Sequence, residues 1–218
     1  SCLEIGAGRG TKTYVMMCQA KRTGYERQHT ALDLHDRKCD LNLARLHKAG
    51  IQGVRTVSGD ACELDEVLTS FDAMLGEPVM FDTVFIDAPC SGTGTMRRHP
   101  EIPWRLAESD VTCELPKLQL TMLKEASARV AVGGELIYAT CSVFDEENAQ
   151  VVDAFLASSE GAGFSVAPLS EAQILQLPEF AQAKKLVCVR QNDRGLFQSV
   201  PVNADSYDGH FCARLVRQ

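Results

Sequence analysis

Two cysteine-bearing segments hold the residue types best suited to covalent chemistry: Asp87-Ala88-Pro89-Cys90-Ser91-Gly92-Thr93-Gly94 and Tyr138-Ala139-Thr140-Cys141-Ser142. Each closes a hydrophobic run, Thr83 to Ile86 before the first and Glu135 to Ala139 before the second. In an open α/β sheet, ligands bind at the carboxyl ends of the strands, so two thiols at two strand ends are candidates for one pocket. A thiolate is the strongest common protein nucleophile near neutral pH, and paired thiols there suggest covalent catalysis. The chain has nine cysteines, and cysteine is among the most buried residue types. Cys2, Cys18, Cys39, Cys62, Cys113, Cys188 and Cys212 read as small core hydrophobes. Cys90 and Cys141 differ, because Pro, Ser, Gly and Thr surround them in place of an apolar stripe.

A second constellation lies at the start. Glu4-Ile5-Gly6-Ala7-Gly8-Arg9-Gly10-Thr11-Lys12 follows a short apolar strand and opens a helix. Glycines permit a tight turn and close approach of backbone amides to a ligand, while the helix N-terminus offers free N–H groups. The segment lacks the GK[ST] ending of a phosphate-binding P-loop, and its Gly-x-Gly-x-Gly spacing departs from the dinucleotide GxGxxG. Asp33 ends the next strand, roughly twenty residues beyond the turn, where a carboxylate can accept from both hydroxyls of a ribose. Asp60 ends the third strand and can accept from an adenine amino group. Glycine turn, ribose acid and adenine acid suit S-adenosylmethionine as well as NAD. The thiols favour the former, since hydride transfer needs neither.

These groups must be positioned by an alternation of strands and helices. Strands are expected over 3–5, 29–34, 54–58, 81–86 and 135–139, and helices over 11–20, 36–49, 116–130 and 146–158, the helix at 116–130 ending before Gly133-Gly134. Such alternation calls for a mostly parallel sheet with helices on both faces. Short β-like pieces at 164–167, 186–190 and 211–216 suggest an antiparallel C-terminal edge. The whole chain, 1–218, reads as one domain of α/β class.

Composition excludes several classes. The apolar runs are strand-length, so no membrane partner is expected. No charged-then-apolar leader opens the chain. An odd number of cysteines without CxxC spacing points to a reducing cytoplasm and against a disulfide scaffold, and five scattered histidines make a metal site unexpected. The formal net charge of -7 is awkward for a partner made of phosphates. The charge is uneven, however: Met96-Arg97-Arg98-His99-Pro100, then Trp104-Arg105, form a basic, aromatic-flanked segment directly after the first cysteine motif.

With these residues in hand, the chain resembles the catalytic domain of the Sun/Fmu-type RNA 5-methylcytosine methyltransferases, a class I S-adenosylmethionine-dependent family. The resemblance rests on Asp87 to Gly94 with Arg97-Arg98-His99-Pro100, and on Ala139-Thr140-Cys141-Ser142 with Glu147-Asn148. It extends through Asp33-x-x-x-Arg37 with Asn42 and Arg45, Gly59-Asp60-Ala61, and the closing Asp208-Gly209-His210-Phe211, where His210 replaces a family Phe. The first glycine motif departs from the family's Asp-x-Cys-Ala-Ala-Pro-Gly-Gly-Lys-Thr: Lys12 and Thr13 are kept, Glu4 replaces the acid and Arg9 the stiff proline.

The resemblance implies a class I methyltransferase Rossmann-like fold that moves a methyl group from S-adenosylmethionine to C5 of an RNA cytosine, with ribosomal RNA favoured. It makes Cys141 the nucleophile at C6 and Cys90 the thiol that assists release, with Asp87 at the cytosine edge. Lys12 contacts Asp87 or the substrate. The cofactor would be held by Glu4, Gly6, Ala7, Gly8, Arg9, Gly10, Thr11, Lys12, Asp33, Arg37, Asp60, Ala61 and Asp87. Arg97, Arg98, His99 and Arg105 are the expected phosphate contacts, and Trp104 a candidate for stacking on a base. The family commonly carries a separate N-terminal RNA-binding region, expected to be missing from this sequence. Two rival readings are a class I methyltransferase on a non-RNA substrate, with both thiols structural, and a catalytically degenerate RNA-binding or ribosome-assembly module.

Overall fold

The computed structural model describes residues 1–170, 173, 189–200 and 207–218. Two compact units are present: Ser1–Ala88 with Thr121–Leu136 and Arg217, and Pro89–Leu120 with Ile137–Val216 and Gln218.

In the first unit, β1 (Cys2–Ile5) lies between β2 (His29–Asp33) and β4 (Phe81–Asp87), with β3 (Val54–Ser58) outside β2, and these strands are all parallel. All four β1 residues are buried, as expected of a parallel strand covered on both faces. The registers Ile5↔Leu32, Ile5↔Ile86 and Asp33↔Ser58 bring the four carboxyl ends to one edge. That edge presents the glycine turn, Asp33, Asp60 and Asp87. Helices α1 (Thr11–Arg22), α2 (Asp36–Lys48) and α3 (Leu64–Leu75) follow the first three strands.

In the second unit, the latter part of β5 (Val130–Thr140) is followed across the sheet by β9 (His210–Arg217), β8 (Phe197–Ser199) and β7 (Val189–Gln191). β8 runs antiparallel to both β9 and β7, and β6 (Phe164–Val166) pairs with β9. Tyr138 of β5 packs edge-on against Phe211 of β9 at 6.2 Å between ring centroids. Phe155, from α6 (Ala149–Leu156), meets Phe164 in the same way at 5.5 Å. The short α4 (Ile102–Arg105) also belongs here, and α5 (Leu115–Ser127) runs from this unit into the other. Parallel strands early and antiparallel strands at the C-terminal end are the fold class that the sequence pattern predicts.

Some boundaries differ. The helix expected over 116–130 stops at Ser127, and Gly133-Gly134 lies inside β5 rather than ending a helix. Gly133 has φ +76°, and a Cβ on Gly134 would come within 2.8 Å of Ala131 O and 2.9 Å of Asp82 O. These glycines mark a close backbone approach within a strand. Helix α3 is not anticipated, although Leu64 and Leu68 sit one turn apart and both are fully buried. The helix expected from 146 starts at Ala149, after a 3-10 turn over Asp145–Glu147. Of the β-like piece at 186–190, residues 186–188 lie outside the described residues.

Candidate functional site

In the first unit the glycine turn is built by three positive φ values: Gly6 +77°, Gly8 +57° and Gly10 +78°. A Cβ on Gly6 would lie 2.4 Å from Asp87 O, and one on Gly10 would lie 1.9 Å from Asn42 Oδ1. At Gly8 the nearest atom would be 4.0 Å away. Two glycines are therefore packed, and the middle one is open to a ligand. The amide of Gly8 donates to Asp33 Oδ2 at 2.9 Å, the amide of His35 donates to Asp33 Oδ1 at 3.1 Å, and Lys38 Nζ lies 3.4 Å from Oδ1. A carboxylate offers about four acceptor positions, so Asp33 still has room for a hydroxyl. Asp60 is exposed and uses Oδ1 to accept the Cys62 amide at 2.9 Å. Lys12 Nζ pairs with Asp87 Oδ2.

Glu4 is fully buried beneath this turn, where its Oε2 meets Thr13 Oγ1 at 2.6 Å and His29 Nε2 at 2.8 Å. Asn42 Nδ2 donates in turn to Thr13 at 3.1 Å. Arg9, Thr11, Lys12 and Arg37 are exposed, and Ala7 and Ala61 are buried. Open space at Gly8, a ribose-type acid and an exposed second acid fit the hydroxyls and amino group of an adenosyl cofactor.

The thiol pair lies wholly in the second unit. Cys90 Sγ and Cys141 Sγ are 3.3 Å apart, and the Cys141 amide donates to Cys90 Sγ at 3.3 Å. The hydrogen bond to Cys141 and burial together push the Cys90 thiol far above its ordinary value. The two sulfurs are within hydrogen-bond reach of each other, and either can be the donor. Two backbone bonds fix the surroundings: Gly94 N donates to Cys141 O and Gly209 N to Gly94 O, each at 2.8 Å. A Cβ on Gly94 would fall 2.0 Å from Gly209 O, so only glycine fits. Burial raises Cys2, Cys62 and Cys212 to about 11 each, leaving them poor nucleophiles.

A family model described as 16S rRNA methyltransferase RsmB/F matches residues 1–216. The chain belongs to this family. S-adenosylmethionine, expected from the sequence, is the cofactor of these class I methyltransferases. Ribosomal RNA small subunit methyltransferase B of Salmonella arizonae is 47% identical over 85 residues, 39% of this chain and 20% of that protein. The Sodalis glossinidius protein of the same name is 36% identical over 140 residues, 64% of this chain and 27% of its own length. The chain therefore aligns with only about a fifth to a quarter of these relatives. The structure of NSun6 from Pyrococcus horikoshii with SFG superposes with a TM-score of 0.75 at 18% identity, covering 99% of this chain and 47% of that one. At that identity it speaks for the fold.

Within this RsmB/F-family chain, every basic residue expected to grip phosphate has a carboxylate beside it. Arg98 is bonded to Asp208, Arg97 lies 3.8 Å from the same side chain, His99 Nδ1 is 3.4 Å from Glu101, and Arg105 is 2.9 Å from Glu101. Their side chains stay exposed, and Trp104 beside them is 89% exposed. The core reading of the remaining cysteines holds for Cys2 and Cys39, but Cys18 and Cys113 are exposed, as both lie on the outer faces of their helical segments. Cys188 lies outside the described residues. Among the described residues no group of His, Cys, Asp or Glu side chains is arranged to hold a metal ion, and no helix is long and apolar enough to cross a membrane.

The sequence reading gives no role to Lys38, which approaches Asp33, or to Gln119, and names Ser91, Thr93 and Ser142 only as parts of the two cysteine motifs. Lys38 lies in the first turn of α2, five residues beyond Asp33, a nearness that could have flagged it. Nothing local distinguishes Gln119 from a surface glutamine of α5.

Proposed function

We propose that this chain methylates C5 of a cytosine in RNA, ribosomal RNA in keeping with its family, through a transient bond between Cys141 and C6. The observation that carries this reading is the 3.3 Å separation of Cys90 and Cys141. A half-buried thiol pair suits a reaction that needs a nucleophile first and a proton-handling group afterwards.

Cytosine C5 is too poor a nucleophile to take a methyl group unaided. Addition of the Cys141 thiolate to C6 pushes electron density onto C5. S-adenosylmethionine, when bound, supplies a sulfonium-activated methyl group. Asp33 holds the cofactor's ribose and Asp60 its adenine, the open space at Gly8 lets the cofactor approach the backbone, and Gly6, Ala7, Arg9, Gly10, Thr11, Arg37 and Ala61 shape the same site. Asp87, paired with Lys12, stabilises charge developing at N3 or N4 of the cytosine. Cys90 assists release: the C5 proton passes to a base, which is Cys90 once ionised or water beside it, the C5–H electron pair re-forms the C5–C6 double bond, and Cys141 leaves C6 as the thiolate. The base must leave any stack to meet a thiol, so single-stranded, looped or flipped RNA is the substrate. Arg97, Arg98, His99 and Arg105 line the path of its backbone.

RNA carrying 5-fluorocytosine tests this reading, because fluorine cannot leave C5 as a proton does and the adduct persists. The full-length protein is expected to give a denaturation-resistant complex with ribosomal RNA fragments, and bisulfite mapping is expected to lose one cytosine signal when the gene is removed. An unaltered map together with no complex would overturn the proposal.

A further inference from the structure

We infer that Glu147 is a positioning residue whose carboxylate ties the Cys90 loop to the Cys141 loop and sets the separation of the two thiols. This rests on the reading that these thiols do the chemistry, and it concerns a residue that touches neither of them.

Glu147 is fully buried, and no Lys, Arg or His pairs with it among the described ion pairs. Its partners are instead the neighbours of the two cysteines. Oε1 accepts the amide of Ser91 at 2.8 Å and Gln119 Nε2 at 3.1 Å; Oε2 accepts the hydroxyls of Ser91 and Ser142 at 2.5 Å each. Four donors fill the acceptor capacity of an ionised carboxylate. Two come from the residue after Cys90 and one from the residue after Cys141. Gln119 Nε2 also reaches Pro89 O at 2.9 Å, just before Cys90.

The proton count closes. Ser91 and Ser142 each donate their single hydroxyl proton to Oε2. Thr93 Oγ1, 3.1 Å from Ser91 Oγ and 3.3 Å from Ser142 Oγ, has its own proton for either serine and accepts the Val143 amide at 3.1 Å. Ser142 Oγ also accepts the Phe144 amide at 3.1 Å. Glu147 is itself anchored, since the Tyr138 hydroxyl donates to Glu147 O at 2.6 Å. Its neighbour Asn148 donates to Ser142 O at 3.0 Å and accepts from Thr140 Oγ1 at 2.6 Å. A buried carboxylate without a cation is costly unless fully hydrogen-bonded. Here the bonds that satisfy it are the ones that join the two loops.

The test reads the thiols directly, without RNA or cofactor, so its failure is distinct from failure of the methylation reading. The chain is alkylated with iodoacetamide at neutral pH, and the rates at Cys90 and Cys141 are followed by peptide mass spectrometry. The groups bearing on the pair are Arg98 with its partner Asp208, Tyr138, and Glu147 itself, and all but Glu147 are left unchanged. In the wild type Cys141 is expected to react at least about tenfold faster than Cys90, because two thiols 3.3 Å apart ionise in separate steps and Cys90 is the one pushed up. Glu147→Gln keeps the length and an acceptor for the Ser91 amide, while both serine hydroxyls can turn to accept, so it should retain the split. Glu147→Asp is one methylene short of both loops and should lose it, with the two rates coming within about threefold. Should Glu147→Asp fail to fold by circular dichroism, Ser142→Ala removes one tie alone and should narrow the split. A folded Glu147→Asp or Ser142→Ala with the wild-type ratio would overturn the inference, as would a Glu147→Gln that loses the split as fully as the aspartate variant.

Discussion

Arg98 donates from Nε to Oδ2 of Asp208 at 2.8 Å, and one of its terminal nitrogens reaches the same oxygen. The pair is anchored at both ends. Gly209, next to Asp208, bonds to Gly94 in the Cys90 loop, and Gly94 bonds to Cys141 O. The guanidinium is raised above its ordinary value chiefly by Asp208 and also by the sulfur of Cys141. A cation held there favours the thiolate form of Cys141.

Arg98 and Arg105 should therefore separate in their effects. Arg98→Ala is expected to slow alkylation of Cys141 at neutral pH by about threefold, a modest figure because the side chain is 59% exposed and solvent screens it. Arg105→Ala should leave that rate alone, weaken RNA binding and lower the salt slope of binding by about one. Thiol kinetics and binding across a salt series check both. Equal loss of thiol reactivity in the two variants would remove Arg98 from any role at Cys141.

Asp33 ties the glycine turn to the end of β2, where the proposed function places the cofactor's ribose. Its Oδ2 accepts the amide of Gly8 at 2.9 Å, so its loss frees the turn as well as the ribose hydroxyls. An unpartnered buried polar group costs roughly 1–3 kcal/mol. Asp33→Ala should weaken S-adenosylmethionine binding at least about tenfold, measured by calorimetry on protein whose circular dichroism is unchanged. Unchanged affinity in the folded variant would take Asp33 out of the site.

The parts of this site that could be read in the sequence are those encoded locally. Gly6, Gly8 and Gly10 need positive φ, and their spacing before a helix announces the turn. Asp33, Asp60 and Asp87 end apolar runs, and parallel register alone brings those ends together. Glu147 and Asp208 are different. Each is a carboxylate near the surface of its sequence pattern, and its partners lie as far away as Ser91, 56 residues off, and Arg98, 110 residues off. No periodicity encodes such pairings. The same holds for Gly133-Gly134, which resemble a helix stop until Asp82 O is found beneath Gly134.

Arg129 makes stability depend on pH. Its side chain, 4% exposed, donates to Asp65 Oδ1 at 2.7 and 3.0 Å and to both oxygens of Asp72 at 2.9 Å. The guanidinium holds Asp72 below its usual 3.8. A carboxyl depressed in the folded state contributes stability above its unfolded value, and that contribution disappears as the pH falls through the folded value. Urea midpoints should begin to drop as the pH falls below about 5 and go on dropping below 3.8, and Asp72→Asn should flatten the drop. Arg129→Ala should cost about 2 kcal/mol at neutral pH. An Asp72→Asn profile as steep as the wild type would assign the acid sensitivity elsewhere.

The two thiols should fail in opposite ways. The hydrogen bond with Cys141, 3.3 Å away, and burial push the Cys90 thiol up. On the proposed assignment Cys141 attacks C6, so Cys141→Ala should abolish methyl transfer and form no covalent complex with RNA. Cys90→Ala leaves attack intact but removes the group that assists release, so turnover should stop with methylated RNA still attached. Loss of a first step prevents an adduct, whereas loss of a last step traps one. Denaturing gels with labelled RNA and the full-length protein should show a shifted band for Cys90→Ala alone. A band for Cys141→Ala and none for Cys90→Ala would exchange the two roles and make Cys90 the nucleophile.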